Sequence, residues 1–148
     1  MRTTGVRDTV GPMIRFGISG LPPDDGDDAL FLDAVVDRGH EAYELAFVHG
    51  FPWKERRCRS FGELAAERGI VLSVHAPYFA VLTVEDDEKR VQTLAALEHT
   101  MKLGRALGAH TVVAHTGHVK ERTPDELHAL VAEGLGRIEP KVRHLGVA

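Results

Sequence analysis

Apolar positions along this chain switch repeatedly between a strand-like and a helix-like spacing. Ile14-Arg15-Phe16-Gly17-Ile18-Ser19 is a short strand-like run, closed by Gly20, Pro22-Pro23 and an Asp/Gly-rich turn through Asp28. Apolar residues at 29, 30, 31, 32, 35 and 36 then form a helical stripe from Ala29 to Arg38, ended by Gly39. Residues 41–48 predict a second strand. Pro52 opens a polar, basic helix to about Arg68, with Gly69 as its left-handed cap. Residues 70–75, mostly apolar on both faces, read as a strand of a covered parallel sheet. A long helix from Val84 or Glu85 to Leu107 stops at Gly108, and residues 111–115 predict the fourth strand. Thr123-Pro124-Asp125-Glu126 supplies an N-cap, a proline at N1 and the N3 glutamate of a capping box. The helix that follows carries Leu127, Leu130, Val131, Leu135 and Ile138 toward a core, and Pro140 bounds or kinks it. Leu145-Gly146-Val147-Ala148 reads as the first half of a fifth strand, and residues 1–12, without periodicity, as a flexible lead-in.

Four strand–helix units of about 30 to 40 residues imply right-handed crossovers and a parallel α/β sheet. Two architectures accommodate them: a small open, doubly wound sheet, or half of a TIM-type (β/α)8 barrel, which needs about 250 residues. A chain that stops inside a strand candidate favours the second. Residues 13–148 are therefore expected to form the N-terminal half of such a barrel.

Composition narrows the function classes. At 148 residues the chain has room for one ordinary domain. Its 43% hydrophobic and 27% charged residues exclude a wholly disordered chain. A net charge of −4 provides no global basic field for nucleic acid or an anionic membrane. No apolar run approaches the roughly 20 residues that span a bilayer, and the first residues lack the apolar core of a signal peptide. A lone cysteine, Cys58, fits a reducing compartment, so a cytoplasmic location is expected. Nine histidines are the one excess.

Parallel α/β folds bind ligands where strands end and the following loops begin. Glu44 lies late in the second strand, His75 ends the third, His115 ends the fourth, and His118 follows three residues on. His75 and His115 occupy equivalent places in successive units and should stand side by side on one rim. Two neutral imidazoles there can share a divalent metal, at about 2.0–2.1 Å for zinc. Such a site needs a further protein ligand and an open position. A single histidine at a strand end is more often a satisfied turn residue; the repetition at equivalent positions shifts the balance toward a ligand pair. Glu44 either joins the site or salt-bridges a loop, and His118 either holds a second metal or caps its turn. His40, His49, His99, His110, His128 and His144 read as surface or structural, and Cys58 as inert.

The loop after the second strand, His49 to Arg57, combines Trp53 with Lys54 and Arg56, and Tyr78 should face the same rim. Rings that stack on bases and cations that meet phosphates suit a DNA contact. The alternative is that Phe51 and Trp53 staple the start of the second helix onto the sheet.

Four stretches carry a family resemblance: Arg15-Phe16-Gly17 with Gly20-Leu21-Pro22; Tyr43-Glu44-Leu45-Ala46-Phe47-Val48; Leu72-Ser73-Val74-His75-Ala76-Pro77-Tyr78; and Leu107-Gly108-Ala109 with Val112-Val113-Ala114-His115-Thr116-Gly117. In this order they resemble the N-terminal half of endonuclease IV, the zinc-dependent apurinic/apyrimidinic endonucleases of the xylose isomerase-like barrel superfamily. The resemblance implies a trinuclear zinc site on an eight-stranded barrel that hydrolyses DNA 5′ to abasic nucleotides. It implies that His75 and His115 share one zinc with a glutamate of the fifth strand, and that Tyr78 and the Trp53 loop face DNA. Manganese or magnesium would be the other candidate ions. The chain departs from the family where Phe79-Ala80-Val81-Leu82 follows the tyrosine and where His115-Thr116-Gly117 replaces His-Pro-Gly. The second expectation is a sugar isomerase or epimerase of the same superfamily, in which Glu44 gains importance. The third is a non-catalytic half-barrel that forms a homodimer through its exposed sheet edges. The chain alone should bind zinc weakly and show little or no catalysis.

Overall fold

In the computed structural model, which describes residues 14–146, four parallel strands lie side by side in chain order. They are β1 (Gly17–Gly20), β2 (Ala42–Ala46), β3 (Val71–His75) and β4 (Thr111–Val113). Between and after them run α1 (Asp28–Asp37), α2 (Glu55–Glu67), α3 (Asp87–Leu107) and α4 (Pro124–Val142). The expected lead-in at 1–12 lies outside the described residues. The strand order never reverses, so every crossover winds the same way and the helices collect on one face. A doubly wound sheet needs a reversal to place helices on both faces. The chain therefore folds as half of a TIM-type barrel.

Side-chain alternation in the sheet follows from this one-sided cover. Tyr43 and Leu45 on β2 and Leu72 and Val74 on β3 are buried against Leu32, Val35, Phe61, Ala65, Leu103 and Leu107 of the helices. The intervening Glu44, Ala46, Ser73 and His75 are only half-buried. Theirs is the face that a closed barrel turns inward.

Local signals set the helix ends. The Asp27 carboxylate accepts from the N–H groups of Ala29 and Leu30, and Asp86 caps α3 by accepting from Lys89. Gly108 ends α3 at φ 68°, a left-handed turn that suits glycine. Thr123 and Glu126 form the expected capping box. The helix runs on through Pro140 to Val142. At the C-terminal end, the described part of the expected fifth strand, Leu145 and Gly146, is not extended. Residues Arg143–Leu145 form a 3-10 turn closed by Gly146 at φ 67°. Leu145 is buried with Ile138, Val142, Leu97 and Ala96, so its apolar character serves the α3–α4 junction. Val147 and Ala148 lie outside the described residues.

Candidate functional site

His75 is level with Ala46 on one neighbouring strand and Val113 on the other. His115 follows Val113 by two residues, so alternation places it on the same open face. The two imidazole rings meet with centroids 4.9 Å apart at 55°. Tyr78 completes a three-ring cluster, 5.0 Å from His115 and 5.9 Å from His75. His75 Nδ1 lies 2.8 Å from the Ala76 carbonyl oxygen. A carbonyl only accepts, so Nδ1 carries the hydrogen and Nε2 keeps its lone pair. That is how a backbone oxygen commonly fixes a metal-binding histidine.

Three loops hold this cluster. The Tyr78 N–H donates to the Val48 carbonyl, and Ala76 N–H to Val113. Thr83 N–H donates to Thr116 at 2.9 Å, tying the loop after β3 to the one after β4. Gly117 sits at φ 124°, pressed against the Thr83 side chain, where a Cβ would overlap Oγ1. Arg122 pairs with Glu85 across the same two loops and donates to the His118 carbonyl. Its guanidinium holds the Glu85 carboxyl below the usual range.

The other predicted residues divide. Glu44 is on the open face and accepts a 2.9 Å hydrogen bond from Ser19 Oγ. The alternative of a salt bridge from Glu44 to a loop does not occur among the described residues. His118 is exposed and does not join a metal-sized cluster: among the described residues no three His, Cys, Asp or Glu side chains group to hold an ion. Lys54 and Arg56 are exposed at the start of α2, where Lys54 is the N-cap. Trp53 is a correction. Expected at a DNA-facing rim, it is 2% exposed, packed edge-on to Phe61 at 5.1 Å and covered by the Arg57 guanidinium 4.0 Å above its ring. It staples α2 to the sheet, and Arg57 in turn bonds Asp24, Asp28 and the Pro23 carbonyl. His99 packs edge-on to Phe51 at 4.6 Å, a structural role.

Ser19 escaped the sequence reading, although a polar residue late in the first strand was its signal. So did a cleft of about 600 Å³ at the same rim, lined by Gly20, Leu21 and residues 46–52.

A family model described as xylose isomerase-like TIM barrel matches residues 32–148. The chain belongs to the xylose isomerase-like TIM barrel family. Within it, the chain is 26% identical over 135 residues to the uncharacterized protein MJ0133 of Methanocaldococcus jannaschii, covering 91% of this chain and 48% of that one. It is 27% identical over 90 residues to the Probable endonuclease 4 of Mycobacterium ulcerans, covering 61% and 36%. The chain thus spans about half, or less, of the length of these relatives. Endonuclease IV from Thermus thermophilus superposes with a TM-score of 0.60 at 19% identity, covering 84% of this chain and 47% of that one. The 3-keto-D-glucoside 4-epimerase YcjR of E. coli superposes with a TM-score of 0.70 at 12% identity, covering 92% and 54%. These two solved structures share the fold of this chain, one being an endonuclease and the other an epimerase. No helix among the described residues is long and apolar enough to cross a membrane.

Proposed function

We propose that this chain carries the two-histidine part of a metal site in a phosphodiester hydrolase of the endonuclease IV kind, acting on abasic-site DNA. The observation that carries the reading is the adjacency of His75 and His115, with the His75 tautomer set by Ala76. Imidazole nitrogens suit zinc, with manganese or magnesium as alternatives. The described residues offer two ligands where a zinc site takes three or more, so the remaining ligands lie outside them. Zinc bound there would supply positive charge to a phosphoryl oxygen and acidify a water.

The chain's own residues orient and exclude. The Ala76 carbonyl aims His75, and the Thr83–Thr116 hydrogen bond keeps the His115 loop against it. Tyr78, half-exposed beside both rings, offers a face to an extrahelical sugar or base. Lys54 and Arg56 supply cations for flanking phosphates. The similarity to the Mycobacterium ulcerans protein and the His-Ala-Pro-Tyr segment support this substrate class.

A second reading, a sugar isomerase or epimerase, has its own observation. Burial of Trp53 removes one surface meant for DNA, while Glu44 stands on the face that carries His75. The adjoining cleft of about 600 Å³ is of small-molecule size. The test sets concentrated, zinc-saturated protein against an abasic-site duplex and a panel of ketoses. At most trace incision 5′ to the abasic site, absent in His75→Ala and His115→Ala, is the expected result for the chain alone. Ketose epimerisation without incision would replace the first reading by the second.

A further inference from the structure

One register row is polar across all four strands. Ser19 on β1 is level with Glu44 on β2, Glu44 with Ser73 on β3, and Ser73 with Thr111 on β4. Ser73 precedes His75 by two residues, so alternation puts the whole row on the face of the histidine pair. Bulky branched side chains typically fill that face in a barrel of this type. Here the row carries three hydroxyls and one carboxylate instead. Its neighbours on β1 and β2 are small: Gly17 and Ala42 precede Ser19 and Glu44 on this face, and Ala46 follows Glu44. These strands therefore leave space in front of the row.

Ser19 Oγ donates to Glu44 Oε1 at 2.9 Å, the one hydrogen bond of the Glu44 side chain among the described residues. An ionised carboxylate has about four lone-pair sites, so most of its accepting capacity is unused. His75 stands one alternation further along, about 6.6 Å in the strand direction. Gly20, the residue after Ser19, and Ala46 line the rim cleft of about 600 Å³. A ligand that reaches from the cleft or the histidines toward the axis thus meets the Glu44 row. The cations of this rim, Lys54 and Arg56, stand further out, at the start of α2. Charge is therefore sorted by depth, negative inside and positive outside.

We infer that Ser19 and Glu44 form a subsite for the hydroxyls of an uncharged sugar. Ser19 holds one carboxylate oxygen, and the other accepts from the sugar. The same negative charge repels phosphate, which is left to the outer cations. A sugar from an abasic nucleotide and a free ketose share this chemistry. The inference rests on the reading of this face as the substrate face, common to both proposed activities, and needs no metal.

The test follows the backbone amide resonances of the chain in chelator by two-dimensional NMR, with 2-deoxy-D-ribose, D-fructose and inorganic phosphate as probes. The expected result is a saturable millimolar shift at residues 19, 44 and 73 with a sugar, and none with phosphate. Tighter binding of deoxyribose assigns the subsite to the abasic nucleotide, and tighter binding of fructose to a ketose. The sugar's dissociation constant should rise at least about 10-fold in Glu44→Ala. Glu44→Gln, which keeps the shape and removes the charge, should lose the preference for sugar over phosphate. Both side chains stand on the open face, so circular dichroism should stay native; the selectivity of the wild type tests the subsite without any variant. No saturable shift at about 100 mM sugar, where a millimolar site is filled, would overturn the inference. So would equal binding in Glu44→Ala, or phosphate competing at the same residues. Zinc held by His75 and His115 without sugar binding at Glu44 leaves the metal reading standing and removes this one; sugar binding without zinc does the reverse.

Discussion

Replacing Gly62 by alanine sets helix propensity against packing, and the distances decide the sign. Gly62 lies inside α2, facing the C-terminal end of α3. A Cβ there would sit 2.7 Å from the Leu107 carbonyl carbon and closer still to its oxygen. Those are backbone atoms at a helix terminus, so the obstruction cannot swing aside as a side chain would. The helices α2 and α3 must separate by about 1 Å. A gap of that size forfeits about a quarter to a half of the local dispersion contact. Phe61 on α2 and Leu107 on α3 are buried at this seam, each contributing roughly 2–3 kcal/mol by burial. The loss is therefore about 1–3 kcal/mol, against a gain of about 1 kcal/mol from removing a helical glycine. The net effect is a destabilisation of up to about 2 kcal/mol, with the helix-propensity gain of the glycine replacement cancelled or outweighed. Gly136→Ala is the matched control: it lies in α4 with nothing within 4 Å of where its Cβ would stand, so it should gain about 1 kcal/mol. Urea denaturation followed by circular dichroism reads both, with midpoints shifting in opposite directions. If Gly62→Ala proves as stabilising as Gly136→Ala, the close approach of α2 to α3 is wrong.

Other perturbations probe the site and its supports. Arg57→Met leaves Asp28 unpaired and uncovers Trp53; a stability loss of about 1–3 kcal/mol and a red shift of the single tryptophan's emission are expected, and unchanged emission would contradict the stacking. The Cys58 thiol is pushed up to about 11 by burial. It should resist thiol reagents at pH 8 until urea unfolds the chain, and fast labelling of the native protein would refute its burial. Because the unfolded thiol ionises first, the unfolded state binds fewer protons between about pH 9 and 11, and stability falls as pH rises through that window. Gly117→Ala forces a side chain onto Thr83 at a backbone conformation that favours glycine, at a cost of about 1–3 kcal/mol. It should weaken zinc binding by shifting the His115 loop, and combining it with Thr83→Ala should return part of the stability lost.

The helix boundaries were legible where chemistry is local. The Thr123–Glu126 box and Gly108 act within one turn, so spacing alone reveals them. The histidine pair was legible because equivalent residues of successive βα units come to adjacent places on a parallel sheet. Trp53 shows what a local reading loses. Its aromatic and basic neighbours resemble a nucleic-acid loop, yet Trp53, Arg57 and Phe61 recur every four residues, the spacing of one helical stripe. Weighted ahead of composition, that period points inward. The tail misled for another reason. An apolar residue followed by glycine fits a strand start and a capped helical turn equally well, and only packing against Ile138 and Val142 decides for Leu145.

The adjacency of His75 and His115 is best tested by X-ray absorption on the zinc-loaded chain, paired with calorimetric titration of the wild type, His75→Ala and His115→Ala. Two imidazole nitrogens at about 2.0–2.1 Å from one ion, with weak binding that either substitution abolishes, is the predicted result. Zinc held equally well by either substituted chain, or a spectrum with no imidazole in the coordination shell, would contradict it.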